Sequence, residues 1–338
     1  MKTKLTMFVL SMLVSQASLR GQGSALPAGS VVAGLTLEEW TVEWWKWFTV
    51  VPCSIHPIIR DTNGVFAQVG QSGPVFFLGG SYSYGGTTNY VTRTVTITAD
   101  KYLFFPVLNF AYDNVGRDVP LSPQELRDEV VIAASSVIEV RAWVDGVDIS
   151  THGVLRLLSP VFSYALPDQD NLYQCFGIEI PGGVYEPTAA DGYWVMLAPL
   201  SAGEHLVRFR GISGDPDNFG LDLTYLLTVR RPTLSEEVGN LVSSIQRAGL
   251  LPDQERPLLA FLKASQVSFE RDQLRAGLRQ LSAFRRKVRA RLGRDNPPLV
   301  EELVRAARAI MDRAREDLRK GGRKDDDGRD SPQEEGSK

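Results

Sequence analysis

The sequence predicts a β-rich domain followed by a small all-α bundle. We expect the β-rich domain to be an antiparallel sandwich or jelly-roll-like fold with an N-terminal aromatic helix and one inserted helix. Through residues 71–229, short runs of branched and aromatic residues are separated by glycine-containing turns and do not alternate with long helices. Beyond Arg231-Pro232, leucine, alanine, arginine and glutamate recur at helical spacing. The predicted domains are therefore 34–231 and 235–320.

Residues 1–25 have the pattern of a secretory signal peptide. Lys2 and Lys4 precede a short apolar run, and small residues suited to signal peptidase follow it. The chain has 338 residues, 43% of them hydrophobic, and a net charge of −3, as in an ordinary globular protein. The sequence therefore predicts an exported protein (periplasmic, cell-surface or extracellular) without a transmembrane segment and without a nucleic-acid partner.

Four of the six tryptophans lie between Trp40 and Trp47. A helix there places one set of apolar residues on a single face: Leu37, Trp40, Trp44, Trp47 and Phe48. We interpret this face as buried against the β-rich domain. The alternative is an aromatic platform for sugar rings or for a membrane interface. Trp45 lies off the stripe and is the ring least expected in the core.

The β-rich part is read from its turns and alternation. Asn63-Gly64 and Asp145-Gly146 predict turns because both pairs favour positive φ, and Asp191-Gly192 is also read as a turn. Ser122-Pro123-Gln124-Glu125 is a capping box that begins the inserted helix. The predicted strands are Pro74–Leu78, Val91–Thr98, Tyr102–Phe110 with Pro106 at an edge or bulge, Val137–Val144, Val154–Leu158, Val161–Leu166, Tyr193–Ala198, Leu206–Arg210 and Leu221–Val229.

Four helices are predicted in the C-terminal part, joined by short loops as in a bundle. The third has an apolar seam with spacings of three and four residues, formed by Leu274, Leu278, Leu281, Phe284, Val288 and Leu292. Residues 321–338 are highly charged and poor in apolar side chains, which predicts a disordered tail.

The two cysteines, Cys53 and Cys175, have two interpretations. In an oxidising compartment they form a disulfide, whose long loop stabilises the fold by about 4–5 kcal/mol in the chain-entropy account. Otherwise they are separate buried thiols, since sequence does not show proximity. His56, His152 and His205 lack the spacing of zinc ligands. The sequence predicts no metal site and no cofactor.

Two resemblances follow from these motifs. Residues 34–229 resemble a family of exported bacterial proteins of unknown function, through the Trp-rich helix, Gly70–Leu78, Phe104–Asn109 and the segments 191–194 and 200–205. Residues 235–315 are similar to the FIMAH domain, a helical module of exported bacterial proteins. Its matching residues are Leu250, Leu251, Leu262, Ala264, Gln280, Leu281, Ala283, Phe284, Val288, Ala306, Ala307 and Ile310. Both resemblances imply export, and neither implies a reaction.

The leading functional hypothesis is a non-enzymatic binding or structural module, with the helical part as an accessory interaction module. Tyr82, Tyr84 and Tyr90 lie in or beside a glycine-rich loop and are the predicted ligand contacts, because aromatic rings suit carbohydrate faces. No catalytic residue is assigned. The alternative is a hydrolase of envelope or extracellular polymer that uses the loop carboxylates Asp61, Asp191 and Glu204.

The segment 285–294 contains six cationic residues and no anionic one. When Phe284, Val288 and Leu292 face inward, these cations point away from the core. Arg285, Arg286 and Arg289 are therefore candidate contacts for an acidic envelope component. The alternative is a solvated helix face balanced by acids on neighbouring helices.

Overall fold

The computed structural model describes residues 23–82, 87–214, 219–294 and 296–326, with side chains described as far as Lys320. The hydrophobic run of the predicted signal peptide, Tyr84 and residues 327–338 of the predicted tail lie outside these ranges. The chain divides into two compact units. The first contains residues up to Gln71 and 76–229, and the second contains 72–75 and the chain from Arg230 onward.

In its described residues the first unit is rich in strands and contains three helices. The helices are α1 (Leu37–Val50), α2 (Pro123–Ser135) and the short α3 (Ser150–Gly153), with 3₁₀ turns at Cys53–Ile55 and Leu172–Phe176. The strands are β1 (Val31–Val32), β2 (Leu35–Thr36), β3 (Val75–Phe77), β4 (Thr88–Thr98), β5 (Tyr102–Tyr112), β6 (Val137–Val144), β7 (Val147–Asp148), β8 (Leu155–Leu158), β9 (Phe162–Leu166), β10 (Gly183–Leu197), β11 (Gly203–Ser213) and β12 (Gly220–Arg230).

Two five-stranded sheets contribute to one core. The first has the order β3-β5-β10-β8 with β9 also paired to β10, and the second has the order β4-β12-β11-β6-β7. Phe105 of β5 stacks on Phe209 of β11 with ring centroids 4.7 Å apart, and Phe209 also stacks on Tyr225 of β12. Side chains from both sheets are therefore buried together, as their alternating patterns require.

Local signals placed several elements correctly. Helix α2 starts at the predicted capping box, where Ser122 and Glu125 bond each other's backbone N–H groups. The hairpin of β6 and β7 turns at Asp145 and Gly146, which both have positive φ. Pro106 lies beside a register shift between β5 and β10, in agreement with its predicted place at a bulge.

The predicted turn at Asp191-Gly192 is wrong, because both residues lie inside β10. Glycine is needed at position 192 because the neighbouring strand approaches closely, and not because the chain turns there. A Cβ at this position would lie 2.6 Å from the Cα of Asn109 on the neighbouring strand. Asp191 is buried and accepts hydrogen bonds from Arg156 at 2.8 Å and from the Gly192 N–H at 2.7 Å. An ion pair with a buried carboxylate thus occupies a place that the sequence assigned to a turn.

The second unit consists of four helices: α4 (Leu234–Arg247), α5 (Pro252–Glu270), α6 (Leu274–Leu292) and α7 (Pro297–Asp326). Consecutive helices contact each other, and α7 also contacts α4. The predicted seam of α6 is buried from Leu281 to Leu292, while Leu274 and Leu278 are partly buried at its edge. Helix α7 extends as far as Asp326 in the described residues, beyond the predicted end of the domain at Lys320.

A proline within α5 explains one interhelical bond. Pro257 has no N–H, so the carbonyl of Asp253 four residues earlier loses its usual helical donor. The guanidinium of Arg291 on α6 donates to that carbonyl at 2.8 Å. This arginine of the basic segment therefore has a structural role in joining α5 to α6.

We expect Trp44→Ala to lower the free energy of unfolding by about 3–5 kcal/mol, as truncation of a buried aromatic side chain does. Trp44 is buried, stacks on Phe48 at 5.4 Å and meets Trp194 edge-on at 5.5 Å. Val50→Ala on the same helix, at a position 49% exposed, is the control and should change stability by less than about 0.5 kcal/mol. Equal melting temperatures for Trp44→Ala and the wild type would contradict the buried interpretation.

We also expect the two units to unfold separately. All six tryptophans belong to the first unit, so their fluorescence reports that unit alone. In urea, tryptophan fluorescence and the far-ultraviolet helical signal should give transitions that do not coincide. Limited proteolysis between Arg230 and Ser235 should then release a helical fragment. Coincident transitions in a chain that resists cleavage would show a single cooperative unit instead.

Candidate ligand-binding cavity

A cavity of about 520 Å³ lies in the first unit beside helix α1. Most of its lining is apolar, and six lining residues are aromatic. Ligand sites commonly have this composition, with a few polar groups that orient the bound molecule. The lining residues are Trp44, Trp45, Phe48, Ile58, Gly80, Ser81, Tyr82, Pro106, Leu108, Asn109, Leu172, Phe176, Phe219 and Leu221.

The indole nitrogens of α1 distinguish one tryptophan from the other three. Trp40, Trp44 and Trp47 donate to the carbonyls of Val32, Leu78 and Val69 at 3.0, 3.4 and 2.9 Å. The Nε1 atom of Trp45 is buried and has no hydrogen-bond partner among the described residues. Trp45 is only partly buried as a residue, since its ring borders the cavity. The tryptophans of the stripe are therefore core residues, although Trp44 also borders the cavity beside Trp45.

Asn109 is the second lining residue with an unused donor. It lies on β5 opposite Gly192, and its Nδ2 atom is buried without a described partner. A buried donor without a partner costs about 1–3 kcal/mol, so such groups need an explanation where they occur. Two of them belong to residues that line one cavity, Trp45 and Asn109, and a side-chain rotation toward the cavity would offer them to a ligand with oxygen acceptors.

The disulfide holds one wall of the cavity. Cys53 and Cys175 are bonded, with Cα atoms 5.4 Å apart, and they join the 3₁₀ turn after α1 to the 3₁₀ turn Leu172–Phe176. Both ends of that second turn line the cavity. Asp170 reinforces the junction, because its carbonyl accepts from the Cys53 N–H and its carboxylate accepts from Ser54.

A buried arginine holds the opposite wall. Arg93 is 1% exposed and donates five hydrogen bonds, to the carbonyls of Asp61, Gly79 and Gly80 and to the hydroxyl of Tyr225. Gly80 itself lines the cavity. The backbone of this wall is therefore fixed by a planar donor group that reaches several acceptors at once.

His56 lies under α1 as a neutral ring. Its Nε2–H donates to the Phe48 carbonyl at 2.9 Å, and its Nδ1 accepts from the Ile58 N–H at 3.2 Å. Burial, with a smaller contribution from the charge of Arg93, lowers the pKa of His56 from 6.5 to about 4, against the opposing effect of the bond to Phe48. The ring thus positions Phe48 and Ile58, which both line the cavity.

A larger and more open groove of about 980 Å³ lies along the opposite side of α1. Three of its four charged residues already have partners, Glu186 being the other. Glu39 belongs to the capping box with Thr36, and Lys46 pairs with Glu43 at 3.0 Å. The smaller cavity is the stronger candidate, because its aromatic enclosure and unused donors offer a ligand more than this groove does.

The predicted tyrosine contacts separate in the structure. Tyr82 lines the cavity and packs against Phe176 at 4.8 Å. Tyr90 is 71% exposed on β4, away from the cavity lining, and hydrogen-bonds Arg210. Tyr84 lies outside the described residues. Of the two predicted contacts that the structure describes, Tyr82 therefore belongs to the site.

The predicted carboxylates have unrelated surroundings. Asp61 accepts from the N–H groups of Asn63, Gly64 and Phe66 and so caps a turn. Asp191 pairs with Arg156, and Glu204 accepts from the hydroxyl of Thr228. In the described hydrogen bonds these three carboxylates share no partner. No pair of them forms an acid and base facing one cleft.

One arrangement has the order of a Ser-His-Asp triad. His205 Nδ1 lies 2.7 Å from Asp145 Oδ2, and His205 Nε2 lies 3.2 Å from Ser201 Oγ. The Ser201 carbonyl, however, lies 3.0 Å from the same Nε2, so a ring carrying both protons would donate to Asp145 and to this carbonyl at once. A base that activates the hydroxyl needs this nitrogen as an acceptor. We interpret the set as a clamp between the β6–β7 turn and the start of β11.

Sequence reasoning missed Asn109, Phe176 and Phe219 as site residues. Asn109 had a usable signal, because it is an amide at the end of the apolar run Phe104–Leu108. Phe176 adjoins Cys175, so its place depended on a disulfide that the sequence left open. Phe219 had no local signal, since only the fold brings β12 to α1.

Comparison with models of known protein families and with curated proteins finds no match for this chain. Within the described residues, no helix is both long enough and apolar enough to cross a membrane. The same part of the chain contains no group of three His, Cys, Asp or Glu side chains placed to hold a metal ion. The site must therefore be interpreted from its own geometry.

We expect the stability of the first unit to depend on pH through His56. The unfolded chain takes up a proton near pH 6.5, whereas the folded ring resists protonation until about pH 4. The free energy of unfolding should therefore fall by up to about 3 kcal/mol as pH drops through this window, and the contribution is complete above it.

The measurement is urea unfolding by tryptophan fluorescence at a series of pH values. His56→Gln should flatten the dependence between pH 6.5 and 4, although its stability at neutral pH is lower. His152→Gln, at an exposed position, is the control and should keep the wild-type profile. A wild-type profile in the His56 variant would assign the dependence to other groups.

Proposed function

We propose that the first unit is an exported, non-enzymatic binding module whose aromatic cavity receives a sugar ring. One observation carries the proposal: two residues of the same cavity, Trp45 and Asn109, have buried nitrogen donors without described partners. A sugar ring offers a C–H face to aromatic side chains and oxygen acceptors to such donors. A volume of about 520 Å³ suits a ligand of one or two rings.

Other features support the same proposal. Two five-stranded sheets with a shared core favour the antiparallel sandwich predicted for this unit. The resemblance to exported bacterial proteins implies a compartment in which the Cys53–Cys175 bond persists. The four helices from Leu234 onward would form the accessory bundle, with the FIMAH-like module as its closest description. The separate surroundings of Asp61, Asp191 and Glu204 disfavour the hydrolase alternative.

A glycan array probed with the full chain tests the proposal, followed by titration of the best-binding sugar. We expect tryptophan fluorescence to change on binding, because Trp44 and Trp45 line the cavity. Asn109→Leu should weaken binding at least about tenfold, the effect of losing one buried hydrogen bond to a ligand. The same variant should be as stable as the wild type or more so, because it removes a buried donor without a partner.

Tyr90→Ala is the matched control, since Tyr90 is predicted from the same loop but lies off the cavity. It should bind the sugar as the wild type does. Binding that is insensitive to Asn109→Leu, or equally weakened by Tyr90→Ala, would place the sugar elsewhere. The absence of any glycan that binds would overturn the proposal for carbohydrate.

A further inference from the structure

Helix α6 has an unusual charge pattern. From Leu274 to Leu292 it carries seven arginine and lysine residues and not one aspartate or glutamate. One of these cations, Arg291, is used to cap the Asp253 carbonyl. A solvated helix face normally intersperses both signs, so that neighbouring charges attract. The remaining cations of α6 have no acid on their own helix.

The neighbouring helix α7 adds positive charge beside α6 instead of neutralising it. Burial, and then the charges of Arg289, Arg308 and Arg315, lower the pKa of Arg285. Arg285 and Arg289 are about one turn apart on α6, and Arg285 contacts Met311 of α7, the neighbour of the Asp312 with which Arg308 and Arg315 pair. We call these four residues, whose like charges repel, the basic cluster. Asp312 is the acid within reach of Arg285, and it already pairs with Arg308 at 3.8 Å and with Arg315 at 2.7 Å.

Arg285 lacks a carboxylate partner within the described residues. Its Nη1 atom meets only the sulfur of Met311 at 3.8 Å, and sulfur is a weak acceptor. Its Nε atom is buried and has no described partner. The terminal nitrogens of such a guanidinium are suited to the oxygens of phosphate, sulfate or carboxylate groups. Arg286, a predicted contact of an acidic partner, is exposed on α6 and is not part of the basic cluster.

We propose that the basic cluster binds a linear oligoanion, phosphate- or sulfate-bearing, along the face shared by α6 and α7. At the helical rise, Arg285 and Arg289 are about 6 Å apart along α6, and Arg308 and Arg315 are about 10 Å apart along α7. The cluster is therefore longer than one oxyanion and matches several in a chain. This inference concerns the second unit and does not depend on the sugar proposal.

A polymer is favoured over a membrane surface for a reason visible in the same unit. Membrane-bound helices combine cations with exposed apolar side chains that enter the lipid. The large apolar side chains exposed in the described part of this unit are Leu251 and Val267, one just before α5 and one within it. Neither belongs to α6 or α7. The cluster offers charge without an apolar anchor.

The test is calorimetric titration of the full chain with sodium tripolyphosphate, at an ionic strength of about 0.01 M and of about 0.15 M. We expect binding that weakens with salt, and weaker binding of inorganic phosphate, because a single group engages fewer arginines. The variant Arg285→Gln/Arg289→Gln/Arg308→Gln should lose at least about tenfold in affinity. Its melting temperature should equal or exceed that of the wild type, because repulsion is removed.

The control is Arg275→Gln/Arg279→Gln/Arg305→Gln, which removes the same charge from exposed positions outside the cluster. It should lose less than about threefold in affinity. Equal losses in both variants, equal affinity for phosphate and tripolyphosphate, or no binding at low salt would each overturn the proposal. Binding to anionic vesicles without binding to tripolyphosphate would overturn it in favour of a lipid surface. Should the cluster variant not fold, Arg289→Gln alone must show weakened binding.

Discussion

The first unit depends on how it accommodates one buried charge. Arg93 is almost fully buried, and a guanidinium without partners there would cost several kcal/mol. Its five hydrogen bonds go to uncharged oxygens, namely three backbone carbonyls and the hydroxyl of Tyr225. To reach it, the chain at Asp61 must turn and the chain at Gly79-Gly80 must approach closely. A Cβ at Gly79 would meet Ile58 at 2.5 Å, which is why this loop needs glycine.

Both the core and the proposed binding site follow from this arrangement. The loop held by Arg93 continues into Gly80, Ser81 and Tyr82, which form one side of the cavity. On the other side, helix α1 packs its tryptophan stripe into the core and leaves Trp45 beside the cavity. The two interpretations of the aromatic helix therefore apply to different rings. Three of its indoles donate to backbone carbonyls, and the Nε1 atom of the fourth is buried without a described partner.

The second unit contains arginines of two kinds: some join one helix to another, and the basic cluster does not. Arg313 pairs with Glu237 across helices, and Arg291 caps the carbonyl released by Pro257. These contacts join α7 to α4 and α6 to α5. The basic cluster contributes nothing comparable to packing, because its single acid is shared and Arg285 lacks a carboxylate. Charge retained without a structural partner is the feature that suggests an external one.

The sequence by itself determined the elements whose causes are local. The capping box at Ser122, the positive-φ turn at Asp145-Gly146 and the seam of α6 each depend on residues within a few positions of one another. The division into a strand-rich unit and a helical unit has the same basis. The site could be predicted only in part, through Tyr82 and the tryptophan helix.

Tertiary structure alone decided the features that depend on residues distant in sequence. Asp191-Gly192 looks like a turn until strands on either side of β10 make it an interior segment. The neighbours of Cys53, Asn109 and Arg285 are likewise set by packing of elements remote in sequence, at separations as large as 122 residues for the disulfide. Whether a donor is left without a partner depends on every neighbour around it, and no local pattern of residues specifies that set.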